Sequence, residues 1–423
     1  MAQVNHKRRD RLQNALILLL SISAVFLFYL TQFGMPRFSA LLLPFAQTEE
    51  SPAVTDTRIF LQEMDWPVTV LTADSFGGRH ELRLSTGDSS FTSTEALLED
   101  SFRGELTWTE CDFDAFRSAM DENSLCILLP SPIPMQVIAA RLGLSSAAQF
   151  SVSAFLFSRT EESVLLYYSD GAQYFQSPCP ITGEGLDAVI EALGGEECTL
   201  IDELESVSAP LSPLTACGAE LPQLPLLSAK TADSLFSLPS LLPQFGFNAH
   251  TTSRYTEADG TEVIVESPRR LRISPGGTVY YAGDKKNAPD SFLFSSGEDL
   301  TALIGSAYHL LQDLLRPADM NTQLYLSAVQ EEGKSCTLCF EAMAGGLGVV
   351  ADSGEPAARI VIADGAVTEL SLRYRSYTVS DTAALLLPFP QALAVASAYE
   401  GMRMDLSYID SGRDEVAPSW FMR

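Results

Sequence analysis

The sequence is poor in positive charge. Its 423 residues include 27 Lys and Arg against 54 Asp and Glu, which gives a formal net charge of −27 at pH 7. Proteins that bind nucleic acid without sequence preference take much of their affinity from cationic side chains that displace counterions from phosphates. This composition excludes that class, so we expect no nucleic-acid partner. Apolar residues make up 46% of the chain, which is typical of a folded protein.

Histidine is also scarce, and the usual catalytic motifs are missing. The four histidines are His6, His80, His250 and His309, and none belongs to an H-E-x-x-H motif. Neither a G-x-S-x-G elbow nor an S-x-x-K nucleophile pair occurs. We therefore predict a protein that is not an enzyme and that has no catalytic residues, no cofactor and no metal. One alternative stays open, because two carboxylates distant in sequence can meet in a glycosidase site.

The seven cysteines show no framework of pairs. Only Cys336 and Cys339 lie close together, as C-T-L-C. A zinc site would need further ligands, and a redox pair usually lies at a helix N-terminus, where the pKa of the thiol is lowered. This pair falls in a strand pattern, which would point its two side chains to opposite faces. We predict ordinary buried cysteines and assign no disulfide.

Charge is absent altogether between Arg11 and Arg37. At about 1.5 Å per residue, a helix over this apolar stretch would outspan a hydrocarbon core of about 30 Å. Lys7, Arg8 and Arg9 precede it, which by the positive-inside rule keeps the N-terminus in the cytoplasm. A cleavable signal peptide is the alternative, but its apolar segment is usually shorter. We predict a cytoplasmic tail over 1–11, a single transmembrane helix over 12–35 in the cell membrane, and a juxtamembrane linker over 36–55, with the remaining residues extracellular.

One face of this predicted helix is a candidate partner-binding site. Asn14, Ser21 and Phe28 follow one another at intervals of seven, with Ile17 and Ala24 on the same side. Polar and small residues in a membrane favour helix pairing through hydrogen bonds and close approach. The alternative is that one Asn and one Ser are tolerated in the span without a function.

The rest of the chain divides into two predicted α+β regions. Pro210, Pro213, Pro222 and Pro225 lie close together, and proline at that density predicts an extended linker. We expect an N-terminal domain over 56–205, a Pro-rich linker over 206–230, and a C-terminal region over 231–423 with subdomains at about 231–320 and 321–423.

Helix and turn signals place antiparallel sheets in both regions. Thr92 with Glu95, and Ser295 with Glu298, have the spacing of a capping box ahead of an amphipathic helix. Asp-Gly pairs such as Asp364-Gly365 separate strand patterns and indicate hairpins. Helices thus alternate with hairpins, which predicts tandem α+β domains with antiparallel sheets after the membrane helix. The aromatic residues at 167, 168, 174 and 175 could line a ligand groove, although alternating strand aromatics more often pack in a core.

Several segments together resemble the YycH/YycI family of accessory regulators. The resemblance rests on the order of segments, not on an invariant motif, and it covers most of the chain after the predicted helix. The segments are WPVTV from Trp66, LTWTECDFDAFRSAM from Leu106, LCILLPSPIPMQVIAARLG from Leu125, the GFN…SRYTEADGTEVIVE…LRISPGGTVYY block from Gly246, and AVASAYEGMRMDLSYID…APSWFMR from Ala394. The strongly acidic composition and the cysteines depart from the family pattern.

This resemblance implies a function without catalysis. Members of the family look like single-pass proteins that contact the sensor kinase of the WalK–WalR (YycG–YycF) two-component system, which governs cell-wall metabolism in Gram-positive bacteria. It implies a WalK-type histidine kinase as partner, a paralogous YycH/YycI protein as a further one, and a PepSY-like helix–strand–strand unit over 390–423. Two other functions remain open: a wall-associated enzyme acting on glycan or peptide through an unrecognised carboxylate site, and a surface ligand-binding module.

Overall fold

The computed structural model of the protein describes residues 57–423 apart from short gaps. The gaps are residues 122, 145, 147, 205–210, 219, 232–237, 296–298, 317–319, 321, 397–398 and 400. The chain divides into two units, Met1–Thr55 and Asp56–Arg423, and all described residues belong to the second.

The helices and strands of this unit follow one another in mixed order. The α-helices in the described residues are α1 (Thr92–Arg103), α2 (Phe113–Ser118), α3 (Met135–Arg141), α4 (Gly183–Leu193), α5 (Leu238–Leu241), α6 (Leu300–Leu315) and α7 (Phe389–Ala396). The strands are β1 (Pro67–Ala73), β2 (Arg79–Ser85), β3 (Thr109–Cys111), β4 (Ser124–Pro134), β5 (Ser151–Arg159), β6 (Val164–Ser169), β7 (Tyr174–Cys179), β8 (Glu196–Leu200), β9 (Ala216–Gly218), β10 (Pro225–Thr231), β11 (Ser253–Thr256), β12 (Glu262–Glu266), β13 (Arg269–Ile273), β14 (Thr278–Ala282), β15 (Gln323–Glu332), β16 (Ser335–Ala344), β17 (Leu347–Ala351), β18 (Ala358–Ala363), β19 (Ala366–Arg373), β20 (Arg375–Ala383), β21 (Met404–Asp410) and β22 (Glu415–Met422).

These strands form two sheets. The nine-stranded sheet has the order β3-β7-β6-β5-β4-β1-β2-β8-β9, and its neighbours are antiparallel. The thirteen-stranded sheet has the order β11-β12-β13-β14-β19-β18-β16-β17-β21-β22-β10-β20, and β15 pairs with β16 beside this path. Strands β17 and β21 run parallel, so this second sheet is mixed.

Strand β5 shows how the nine-stranded sheet comes to be buried on both faces. Successive side chains of a strand point to opposite sides. Phe155 and Phe157 join the large apolar core, whereas Leu156 joins a smaller cluster that includes Phe116 of α2. Helix α2 begins where the Asp112 carboxylate accepts a hydrogen bond from the backbone N–H of Ala115 at 2.8 Å. This short helix therefore covers the second face of the sheet.

The large apolar core extends under both sheets. It contains Val70 and Phe155 from the nine-stranded sheet, Leu271 and Phe340 from the thirteen-stranded sheet, and the inner face of α6. Residues 56–423 accordingly form one compact unit, whereas the sequence led us to expect two domains.

The predicted fold class is corrected on its membrane component. It required a single transmembrane helix, but no helix in the described part of the chain combines the length and the apolar character needed to cross a bilayer. Residues 12–35, to which that helix was assigned, lie outside the described residues. The described unit is α+β with antiparallel and mixed sheets.

The stretch predicted to be a Pro-rich linker contributes two strands. Strand β9 extends the nine-stranded sheet, and β10 pairs with both β20 and β22 in the other sheet. Pro225 is the first residue of β10, a position where proline is tolerated in a sheet. Pro225 therefore lies in extended backbone, and Pro213 lies in a turn.

The two predicted capping boxes do not cap the helices. Helix α6 begins at Leu300, and its N-cap is Asp299, whose carboxylate accepts from the backbone N–H of Ala302 at 2.9 Å. Helix α1 does begin at Thr92, but it continues a 3-10 turn, Ser89–Phe91, and no side chain caps it. In α6, the carboxylate of Asp299 therefore has the capping role that the spacing assigned to Ser295.

We expect Phe340→Ala to lower the free energy of unfolding by about 3 to 5 kcal/mol, because the ring is fully buried and its removal leaves a cavity. Phe76→Ala is the control, since Phe76 is 94% exposed, and it should change the value by less than about 0.5 kcal/mol. Denaturant titration of the full chain, followed by tryptophan fluorescence, measures both. Equal losses in the two variants would contradict the single core.

Candidate functional site

Large apolar side chains are exposed around α7. We call this set the α7 surface: Leu385, Leu387, Val395, Tyr399 and Met402. Leu385 is 100% exposed and Val395 68% exposed. Leu387, Val395, Tyr399 and Met402 line a groove of about 390 Å³, and Trp420, Phe421 and Met422 form part of its wall. Contiguous exposed apolar surface of this kind marks sites of contact with proteins or ligands.

Helix α7 is fixed in place by its other face. Ala392, Leu393 and Ala396 are buried in a cluster that reaches Ile201 and Met404. This packing leaves Val395 on the outer side of the helix, since it is one residue away from the buried Ala396.

The segment before α7 is anchored by β22. The indole N–H of Trp420 donates to the carbonyl oxygen of Leu387 at 2.7 Å, and the Trp420 ring meets Phe389 edge-on at 5.6 Å. The α7 surface is therefore presented by a packed helix and a hydrogen-bonded segment.

In the thirteen-stranded sheet, a buried ion pair ties β20 to the end of β21. Arg375 donates to Asp410 at 2.6 Å, and the two side chains are 3% and 1% exposed. The Tyr377 hydroxyl also donates to Asp410, at 2.8 Å. Burial, followed by the neighbouring Asp410 charge, raises the pKa of Tyr377 well above its ordinary value. These hydrogen bonds satisfy a carboxylate that would otherwise be costly to bury.

A second set of buried charges joins the two sheets. Asp405 of β21 lies 3.3 Å from Arg403, 3.8 Å from Arg83 and 3.9 Å from Arg423. Burial alone would raise the pKa of Asp405, but the three guanidinium groups outweigh it and keep that pKa below its ordinary value. Arg83 also pairs with Glu81 at 2.5 Å. We call these five side chains the charged junction.

A cavity of about 440 Å³ opens beside the charged junction. Its polar wall includes Tyr325, Ser327, Glu341 and Arg423. Tyr325 and Glu341 lie directly opposite each other on β15 and β16, so their side chains share one face of the sheet. We call this cavity the Glu341 cavity.

Glu341 is an unusual acid. Its carboxylate accepts one hydrogen bond, from the backbone N–H of Ala357 at 3.3 Å, and it has no ion-pair partner among the described residues. Burial raises the pKa of Glu341 to about 7, against the opposing effects of the Ala357 hydrogen bond and the Arg373 and Arg423 charges. At neutral pH the side chain is therefore close to half protonated, and it can donate as well as accept.

Two further polar groups beside this cavity are buried. The Tyr325 hydroxyl and the Arg423 guanidinium interact with each other, and Nε of Arg423 lies 3.9 Å from Asp405. The other guanidinium nitrogens of Arg423 donate to the carbonyl of Pro130 and to the Ser407 hydroxyl, both at 2.9 Å.

The partner-binding face predicted from the sequence belongs to the N-terminal segment of the chain. Asn14, Ile17, Ser21, Ala24 and Phe28 lie outside the described residues. No group of three or more His, Cys, Asp or Glu in the described ranges could bind a metal ion.

The cysteines, the histidine and the aromatic residues considered from the sequence pack against neighbouring side chains. Cys336 is buried and Cys339 half-buried on β16, and both are free thiols. His309 pairs with Asp313 at 3.4 Å and packs on Phe60. The ring of Tyr168 stacks between Phe150 and Phe175, and the three rings pack in or against the large apolar core.

Two features of the sequence could have indicated the α7 surface and the Glu341 cavity. Residues 382–399 contain no charged side chain, which is compatible with an exposed apolar surface as well as with a core. Glu341 interrupts the otherwise uncharged strand sequence SCTLCFEAMA. An acid in such a strand is either on a solvated face or in a special environment, and only the packing distinguishes the two.

Comparisons with family models, with curated proteins and with solved structures found no match. The resemblance to the YycH/YycI family therefore stays a prediction.

We expect Glu341→Gln to remove a pH-dependent loss of stability. Native Glu341 keeps its proton up to about pH 7, whereas the unfolded chain loses it near 4.5, so the wild type loses stability as pH rises between these values. The loss should reach about 2 to 3 kcal/mol, and the variant should lack it. Denaturant unfolding at pH 4.5 and 7.5 measures the difference. Glu369→Gln, at an exposed ion pair with Arg359, is the control and should keep the wild-type dependence.

Proposed function

We propose that this chain is an accessory regulator without catalytic activity, which binds the extracytoplasmic sensor domain of a WalK-type histidine kinase. In this proposal the unit over residues 56–423 acts outside the cytoplasm and changes kinase activity by contact. The observation that carries the proposal is the α7 surface. The resemblance to the YycH/YycI family supports the choice of a kinase as the partner.

The α7 surface has the features of a protein contact site. Leu387, Val395, Tyr399 and Met402 line one groove, whereas exposed apolar residues on other surfaces are usually scattered singly. The backing of α7 by Leu393 and Trp420 limits the entropy that would be lost on binding, because the exposed residues are attached to packed elements. Aromatic and methionine side chains, here Tyr399 and Met402, are also enriched at interfaces.

The charge of the chain constrains the partner's surface. The net charge is −27, while residues 382–399 are uncharged. A fitting partner therefore has an apolar centre for the α7 surface and a basic rim. Complementary charge at the rim speeds association and disfavours acidic competitors more than it adds affinity.

Contact is sufficient for regulation if the kinase has two conformations. A regulator that binds one conformation more tightly shifts the equilibrium by its difference in affinity, and about 1.4 kcal/mol shifts it tenfold. This requirement is modest for an interface with several buried apolar side chains.

We expect the double variant Leu385→Asp/Val395→Asp to bind the purified sensor domain at least tenfold more weakly than the wild type, because it places charge in the apolar centre. Both side chains are exposed, so thermal stability should stay unchanged. Biolayer interferometry with the full chain and the kinase domain measures the affinities.

The control for this test is Phe76→Asp. Phe76 is 94% exposed and does not belong to the α7 surface, so this variant should bind as the wild type does. Equal affinities for all three proteins, or no binding by the wild type, would overturn the proposal. The alternative partner for the α7 surface is a second copy of the chain, and sedimentation of the wild type tests it. A dimer that the double variant abolishes would assign the surface to this second copy.

A further inference from the structure

We propose that a polar cavity bounded by α3, β5, α6 and β15 is a binding site for a neutral oligosaccharide. We call it the Gln136 cavity, and its volume is about 630 Å³. Its walls come from two parts of the chain, one around the start of α3 and the other around the start of α6 and the end of β15. The site is separate from the α7 surface and from the Glu341 cavity, and the inference does not depend on the proposed function.

The first argument is that two side-chain amides at this cavity are available to a ligand. Gln136 of α3 is half-buried, Gln149 before β5 is exposed, and both line the cavity. Neither side chain has a hydrogen-bond partner within the described part of the chain. A carboxamide both donates and accepts hydrogen bonds, as a sugar hydroxyl does. The two amides therefore match a ligand that carries several hydroxyl groups.

The backbone holds these two amides in place. The N–H of Met135 donates to the carbonyl oxygen of Phe150 at 2.9 Å. Gln136 directly follows Met135, and Gln149 directly precedes Phe150, so both amides are attached to this bonded pair. Helix α3 is fixed by its inner face, where Ile138 packs in the large apolar core. Groups that are positioned before binding lose little entropy when the ligand arrives.

The second argument is that an oriented aromatic ring lies in the same wall. Phe150 lines the cavity and stacks on Tyr168, with ring centroids 4.3 Å apart and an angle of 10° between the planes. Trp108 meets Phe150 edge-on at 6.3 Å. Because Tyr168 covers one face of the Phe150 ring, its other side or its edge reaches the cavity. The electron-rich face of such a ring suits the C–H groups of a pyranose.

The charges at the cavity disfavour an anionic ligand. No Lys, Arg or His belongs to the described residues that line it. Of its two carboxylates, that of Asp299 accepts from the backbone N–H of Ala302 at 2.9 Å and from the Thr301 hydroxyl at 2.7 Å, and it pairs with Arg58. Glu331 is exposed and has no ion-pair partner in the described ranges. A phosphate or a carboxylate would therefore meet a negative charge without a compensating cation.

The opposite wall excludes a purely apolar ligand as well. Val329 and Glu331 are two residues apart on β15, so their side chains share one face of the strand. The wall thus offers one small apolar contact beside a free acceptor. A hydrocarbon ligand would bury this acceptor and the glutamine amides without partners, which is costly. The volume lies within the usual range of about 300 to 1,000 Å³ for ligand sites and suits a di- or trisaccharide.

The test is isothermal titration calorimetry of the full chain at pH 7 with two neutral trisaccharides, cellotriose and triacetylchitotriose. Trigalacturonate is the acidic counterpart. At least one neutral compound should bind with a dissociation constant of about 1 mM or lower, and trigalacturonate should bind at least tenfold more weakly than that compound. Absence of binding by both neutral compounds, or equal affinity for trigalacturonate, would overturn the proposal.

Variants of the wall test the two arguments separately. Gln136→Ala/Gln149→Ala should weaken trisaccharide binding at least tenfold, because it removes two hydrogen-bonding groups and no contact within the described chain. Phe150→Leu keeps an apolar side chain but removes the ring, and it should weaken binding severalfold. Thermal unfolding verifies that each variant is folded. Undiminished binding by the glutamine variant contradicts the assignment even if Phe150→Leu proves unstable.

The matched control is Gln330→Ala. Gln330 is exposed and lies between Val329 and Glu331 on β15, so its side chain points to the opposite face of the strand and does not line the cavity. This variant should bind the trisaccharide as the wild type does. A loss as large as that of the double glutamine variant would show that the effect is not local and would count against the site.

A second control separates this proposal from the proposed function. The double variant Leu385→Asp/Val395→Asp should bind the trisaccharide normally, since neither residue lines the Gln136 cavity. Trisaccharide binding by a chain that does not bind the kinase domain would refute the kinase proposal alone. Kinase binding by a chain that binds neither neutral trisaccharide would refute the oligosaccharide site alone.

Discussion

The arrangement of both candidate sites depends on the buried carboxylate of Asp405 among three guanidinium groups. Arg83 reaches it from β2 in the nine-stranded sheet, and Arg403 and Arg423 flank β21 and β22 in the other sheet. Replacing Asp405 would leave these guanidinium groups without their shared carboxylate, and an uncompensated buried charge costs several kcal/mol. The two sheets are therefore joined by an electrostatic contact as well as by a shared apolar core.

Strand β22 connects the charged junction to the surface of the protein. Arg423, directly after the strand, donates to the carbonyl of Pro130 on β4, which fixes the end of the strand against the other sheet. Two residues of β22 contribute to the candidate sites. Trp420 anchors the segment before α7, and Phe421 contributes to both the α7 groove and the Glu341 cavity. The position of one strand thus shapes the apolar surface and the polar cavity together.

The extent of sequence-based prediction is clear from particular elements. The α+β class follows from alternating strands and amphipathic helices, and the turn at Asp364-Gly365 connects β18 and β19 as its pattern indicated. The pairing of β10 was not predictable, because prolines report extended backbone but not the strand beside it. The start of α6 was misplaced, because Asp299 competes with Ser295 for the same role and the sequence does not rank them.

The candidate sites were less predictable than the elements. An uncharged run such as 382–399 can be a core segment or an exposed one, and exposure depends on which face of α7 packs on the cluster of Ile201 and Met404. The Glu341 cavity brings together residues far apart in the chain, at 325, 341 and 423. Such convergence has no local signature.

The sequence by itself determined the acidic charge, the strand and helix periodicities and the turns, because these depend on neighbouring residues. Only the tertiary structure decided that one core serves both sheets, that Val395 faces solvent and that burial raises the pKa of Glu341 to about 7. Burial and charge compensation are the reason, since both depend on which distant segments come together in space.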